Sequence, residues 1–349
     1  MFLALKEIKK EKLRSGLIVA MIVLIGYLIF ILTSLALGLA RQNTDAINSW
    51  GITRITLNDN ANVDMRQSFL TKAQVGTLTA KDALIGETAT VVKSAKHKQV
   101  SAVFMGLRQQ DFIARKLGLE SGRRVAGKRE LVADTALKLA GYKLGSKVTL
   151  NDHTFTIVGF TNNAKINVAP IVYGELSTWQ TLRGIDFGPI ASAVVSKPGS
   201  TRKATAGTKT YAKQTLIDKL PGYTAQTTTF VMMIAFLMVI SLIIIAVFLY
   251  ILTMQKLPNY AVLRVQGIPS RVLVEATVAQ SVLLVLSGLV GATALTALTA
   301  VMIPASVPMA FDVPLLAAVG LGLLVMALIG GLIPIRSVLK VDPVSVIGG

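Results

Sequence analysis

The chain has 349 residues, of which 52% are apolar and 15% charged, with a formal charge of +18 and no cysteine. A soluble domain carries about a quarter charged residues, so this balance points to the membrane rather than to a cytosolic fold. Without thiols there is no disulfide framework, zinc–thiolate site, iron–sulfur cluster or cysteine nucleophile, and two histidines, His97 and His153, leave little for metal or acid–base chemistry.

In chain order, residues 1–15 form a short basic segment with Lys6, Lys9, Lys10, Lys12 and Arg14, followed by an uncharged apolar run over 16–39. Crossing about 30 Å of hydrocarbon takes roughly 20 apolar residues, so this run predicts a first transmembrane helix. It is longer than the 7–15 residues of a signal-peptide core, which favours an uncleaved anchor.

Residues 40–229 are polar and long enough to bury a core of their own. Lys147–Leu150 and His153–Gly159 flank Asn151-Asp152, which predicts a β-hairpin. Further strand-like runs cover 51–57, 99–104, 167–173 and 190–195, and helical patterns lie over 134–140 and 201–220. The expectation is an α+β domain joined to the membrane by helices that continue as a stalk. Gly122-Arg-Arg-Val-Ala-Gly-Lys128 has the Gly-x4-Gly-Lys spacing of a phosphate loop, but Arg129 stands where a magnesium-binding hydroxyl is needed, so it reads as a basic surface turn. His153 falls in the hairpin and His97 in a solvated Lys-His-Lys run.

Three more apolar runs follow, over 230–253, 273–302 and 315–335, separated by a segment over 254–272, predicted to hold a short amphipathic helix, and a short loop over 303–314. The tail is 336–349. The fold expectation is therefore an α-helical membrane protein with four transmembrane helices in a 1+3 arrangement and a large extracytoplasmic α+β domain between the first and second. Lys and Arg flank the N-terminus, the 254–272 segment (Lys256, Arg264, Arg271) and the tail (Arg336, Lys340), whereas 303–314 has none. The positive-inside rule then puts both termini in the cytoplasm and 40–229 outside. That outer region holds 26 basic and 13 acidic residues, which suits acidic envelope polymers, anionic headgroups or a merely solvated surface, and not nucleic acid.

No Gly-x-Ser-x-Gly or His-Glu-x-x-His occurs, and the spans hold almost no ionisable groups for a proton relay. The informative stretch is the second-to-third connection. Tyr260, Leu263 and Val265 give it an apolar side, Arg264 and Gln266 a polar one, and Gly267 with Pro269 ends it. Such a helix either lies in the headgroup layer or docks into a cytoplasmic partner.

Tyr260-Ala-Val-Leu-Arg-Val-Gln-Gly267 resembles the coupling segment of FtsX/MacB-type ABC transporter permeases, as do the 1+3 layout and the Asp342-Pro343 ending. Tyr260 and Ser345 stand where that family commonly has acidic residues. Gly38–Asn43, Tyr142–Val148, Phe248–Lys256 and Ile347–Gly349 are similar to the HrtB-type haem exporter branch. The resemblance implies a bacterial plasma-membrane permease that is not itself an enzyme. It implies a second copy of this chain and two copies of a cytoplasmic ABC ATPase that holds the ATP. It also implies mechanotransmission through Tyr260, Leu263, Arg264, Gln266 and Gly267, with membrane lipid around the spans. Haem is the implied substrate rather than an intrinsic cofactor, taken up near the outer ends of the first two spans. Gln226 occupies the position of a haem-associated Glu in that branch, and a neutral amide is a poor iron ligand. Arg41, Tyr173, Tyr223, Met232 and Met233 are the other candidates for haem or substrate contact, since Met and Tyr ligate haem iron and Arg pairs propionates. For each, packing or lipid snorkelling is the competing role. The alternatives to export are an FtsX-like regulator of an extracellular cell-wall hydrolase and an extruder of lipoproteins or peptides.

Overall fold

The computed structural model describes residues 12–95, 97–185, 187–304 and 307–339, with side chains as far as 331. The chain divides into two compact units, one of residues 1–38 with 227–349 and one of residues 39–226. Basic residues 1–11, Arg336, Lys340 and the terminal motif fall outside the described positions or side chains.

The first unit is built from four helices long and apolar enough to cross a membrane: α1 (Lys12–Ser49), α7 (Tyr223–Val265), α8 (Ser270–Met302) and α9 (Val313–Leu339). Their apolarity extends around most of the surface, which suits lipid as the solvent. Ile18 and Ile22 of α1, Ile245, Leu249 and Leu252 of α7, Leu284 and Val285 of α8 and Ala327 of α9 meet in one buried cluster. Small residues allow that approach. A Cβ on Gly288 would stand 2.4 Å from Ile22, and one on Gly291 would stand 2.6 Å from Val23. In the connection before α9, Ala310 N–H donates to the Ser34 carbonyl at 3.0 Å, and a Cβ on Gly38 would strike the Pro308 carbonyl.

The segment over 254–272, predicted to hold a short amphipathic helix, is helical as far as Val265 as the end of a longer element: α7 runs 43 residues without a break, through Pro258 to Val265. Gly267 then turns the chain at φ +85° before α8 starts at Ser270. Proline lacks one donor and strains one turn, and the continuing apolar face against α8 holds the helix across it.

The second unit is a mixed α+β domain. Its strands are β1 (Arg54–Asn58), β2 (Leu70–Thr71), β3 (Asp82–Ser94), β4 (His97–Leu107), β5 (Leu119–Gly122), β6 (Glu130–Asp134), β7 (Lys147–Leu150), β8 (His153–Thr161), β9 (Lys165–Ile166), β10 (Ala169–Glu175), β11 (Pro189–Ala191), β12 (Ala193–Ser196) and β13 (Thr208–Ala212). Its short helices are α2 (Lys72–Val75), α3 (Phe112–Lys116), α4 (Ala136–Leu139), α5 (Leu176–Arg183) and α6 (Lys213–Asp218). The main sheet runs β13-β1-β12-β3-β4-β10-β6-β8-β5, and β7 bridges β8 back to β3. Six strands thereby close a ring, filled from one face of each strand by residues such as Phe104, Leu131, Ile157 and Val172. Alternation carries the opposite face to a second core that also takes Ala46, Ile47 and Trp50 from the end of α1.

The β7–β8 turn has φ > 0 at both Asn151 and Asp152, +42° and +66°, as a two-residue hairpin requires. The helical pattern over 201–220 resolves differently: β13 pairs along β1, and only α6 is helical. Thr208–Ala212 mixes exposed and half-buried side chains, and its pairing with a strand some 150 residues away overrides the local pattern. The run over 190–195 breaks at Ser192, whose hydroxyl accepts from the Glu87 N–H at 2.9 Å. The Gly122–Lys128 turn is closed by Arg123 against Glu130, 2.5 Å, with the same carboxylate accepting from Ala126 N–H. Those bonds hold Glu130 down at about 2. His97 packs its ring on Tyr142 rather than standing free in a basic run.

Candidate functional site

The end of α7 and the start of α8 form a clamped hairpin. Tyr260 is buried, packs with Leu273, and places its hydroxyl 3.3 Å from that of Thr277. One turn earlier Lys256, also buried, donates to Gln280 Oε1 at 2.7 Å. A buried ammonium needs such partners, because removing it from water unpaired costs several kcal/mol. Leu263 is half-buried beside Tyr260, with Ile268 and Val274. The face left to solvent is Val262, Val265 (62% exposed), Gln266 and Gly267, while Arg264 is half-buried. The residues of the expected coupling segment thus separate into two roles. Tyr260 and Leu263 fasten the hairpin, and Val265, Gln266 and Gly267 present its tip.

Lys256 and Gln280 were not among the residues singled out from the sequence. Lys256 reads there as a flanking charge, and its partner lies 24 positions away on the next helix. A polar pair at the end of an apolar run is the signal that could have found them, since polar groups between spanning helices bond across helices.

The substrate candidates do not gather into one group. Tyr223, Gln226 and Met233 recur at three and seven residues along α7, so they rise along one helix face. Met233 and Gln226 are half-buried, whereas Met232 is 53% exposed and points about 100° away along the same helix. Tyr223 packs partly against the core of the second unit. Arg41 lies exposed on α1. Tyr173 is enclosed within β10, accepts from Trp50 Nε1 at 3.3 Å, and has its phenol pushed upward by burial. That enclosure removes Tyr173 from any surface facing the membrane. Among the described residues no cluster of three or more His, Asp or Glu is arranged to hold a metal.

Residues 231–343 match the family described as FtsX-like permease C-terminal. Over its whole length the chain is 26% identical to the predicted hemin transport system permease protein HrtB of Staphylococcus haemolyticus strain JCSC1435, covering 99% of that protein. It is 23% identical, with the same coverage, to the protein of that name from Staphylococcus epidermidis strain ATCC 35984. Among solved structures it is similar to the periplasmic region of MacB from Actinobacillus actinomycetemcomitans, with 16% identity and a TM-score of 0.37. That match covers 49% of this chain and 93% of the other. A second is the extracellular domain of the transporter YknZ from Gram-positive bacteria, with 14% identity and a TM-score of 0.33, covering 43% and 84%.

Proposed function

We propose that this chain, an FtsX-like permease with four membrane-crossing helices, is the membrane half of an ATP-driven exporter. It works as two copies with two copies of a separate ABC ATPase, which binds and hydrolyses the ATP. Its termini and the α7–α8 tip face the cytoplasm, and residues 40–229 lie outside a bacterial plasma membrane. The cargo is haem or a similar flat amphiphile taken from the membrane. The likeness to hemin transport permeases supports that cargo, as does the lipid-accessible surface of α7 at Val231, Met232 and Phe236.

The observation that carries the reading is the clamped hairpin. Its exposed tip offers a partner Val265, Gln266 and Gly267, while Tyr260–Thr277 and Lys256–Gln280 tie that tip to both spanning helices. A push on the tip therefore moves α7 and α8 together. No step requires an acid, base or nucleophile from this chain.

The test is ATP hydrolysis by the reconstituted complex of chain and ATPase, with haem added. Haem is expected to raise the rate severalfold. Val265→Asp buries a charge at the contact and should remove most of that stimulation while assembly in the membrane persists, because Val265 makes no part of the helix core. Stimulation unaffected by Val265→Asp would place the contact elsewhere, and a rate indifferent to haem would remove haem as cargo.

A further inference from the structure

Residues 86–92 of β3 pair with β4 alone among the described residues, because β12 pairs with β3 as far as Ile85 and β7 meets it only at Lys93. A cavity of about 470 Å³ opens at this gap in the sheet, within the range of roughly 300–1,000 Å³ typical of small-ligand sites. Its walls are mainly apolar, with Met65, Val103 and Leu216 among them, and the charged residues Asp64, Arg66 and Lys219 also line it.

One polar side chain of β3 on this cavity, Glu87, is 5% exposed, and its Oε2 has no hydrogen-bond partner. The surrounding fold uses only the backbone of Glu87, whose N–H donates to Ser192 and whose carbonyl accepts from Trp179 Nε1 at 2.8 Å. The nearby Asp64 carboxylate is already held by the Arg66 guanidinium through both oxygens, which commits that cation elsewhere. An unpaired carboxylate under an apolar wall is expensive to maintain, and packing alone gives it no purpose.

We propose that this cavity binds a small amphiphile bearing a protonated amine, with the ammonium donating to the Glu87 carboxylate and the apolar part lying against Met65 and Leu216. An ammonium brings both the donors and the charge that a buried carboxylate lacks, whereas an alcohol brings no charge and an anion repels it. The site lies wholly within residues 39–226 and does not depend on what the spanning helices transport.

The experiment is calorimetric titration of the full-length protein in lipid nanodiscs, with empty nanodiscs as the blank, using n-hexylamine, n-hexanol and hexanoate. The three probes share a tail and differ in the head. Hexylamine is expected to saturate one site at least tenfold more tightly than the other two, and Glu87→Gln should abolish that preference. Burial pushes Glu87 up to about 7, with Asp64 adding to the rise and Arg66 and Arg183 opposing it. The amine stays charged across this range, so its affinity should rise roughly tenfold from pH 6 to pH 8 as Glu87 ionises. Ala89→Leu, on the cavity wall, should weaken hexylamine binding by blocking the mouth, and it serves as the test if Glu87→Gln does not fold. Equal affinity for the three heads, no saturable binding, or hexylamine binding unchanged in whichever variant folds would overturn the proposal.

Discussion

At Glu87 the folded chain holds a proton more tightly than the unfolded chain does, since its carboxyl rises from the usual 4.5 to about 7 on burial. The sign follows for stability. Below about pH 4.5 the group is protonated in both states and costs nothing. Between 4.5 and 7 the unfolded chain ionises first, so stability falls, and above 7 the loss is complete at about 3 kcal/mol. Glu87→Gln should therefore melt with the parent at pH 4 and several degrees above it at pH 8, read by thermal unfolding across pH. A residue whose removal stabilises the domain is the kind of position retained for binding rather than folding. Nothing in the local sequence marks it. Glu87 reads as one polar residue in an alternating strand, and its burial arises from a break in pairing among three strands that are distant in the chain. Gly38 is similar: the Pro308–Met309 backbone, some 270 residues away, explains why that position has no room for a side chain.

Among the helices, small residues set how closely neighbours approach, and the cost of enlarging one depends on what it meets. Gly288→Ala drives a Cβ to 2.4 Å from the branched Cγ2 of Ile22, itself buried in the shared cluster. Gly322→Ala meets only the flexible Cε of Met238, at 3.2 Å. The first should cost about 1–3 kcal/mol and the second well under 1 kcal/mol, a difference visible as a lower unfolding midpoint in detergent for Gly288→Ala alone. The four spans were legible because hydrocarbon demands a length and composition that few other contexts produce. The β7–β8 hairpin was legible because Asn151 and Asp152 tolerate φ > 0. The strand at 208–212 was not, since its pairing with β1 is non-local, and neither was the continuity of α7, since Pro258 and the charges around it suggest a boundary that packing against α8 overrules.

For the molecule as a whole, the absence of cysteine makes its orientation directly measurable. Phe187→Cys places a thiol at a residue 91% exposed in the second unit, and Val265→Cys places one at the α7–α8 tip. An impermeant maleimide added to intact cells should label the first, and should reach the second only after permeabilisation. The reverse pattern would invert the proposed topology and with it the side from which an ATPase could act. The α7–α8 tip was half legible at this scale: the motif marked its residues, but which of them are exposed depends on Thr277 and Gln280 of the following helix.

The unbroken course of α7 has a mechanical corollary. At about 1.5 Å per residue its 43 residues make a rod roughly 64 Å long, about twice the thickness of the hydrocarbon layer. A tilt of about 10° pivoting at one end sweeps the other through roughly 11 Å, so a modest angular stroke is magnified by length alone. Pro258, near the tip, is the one proline within that rod, and it removes one backbone donor from the turn it occupies.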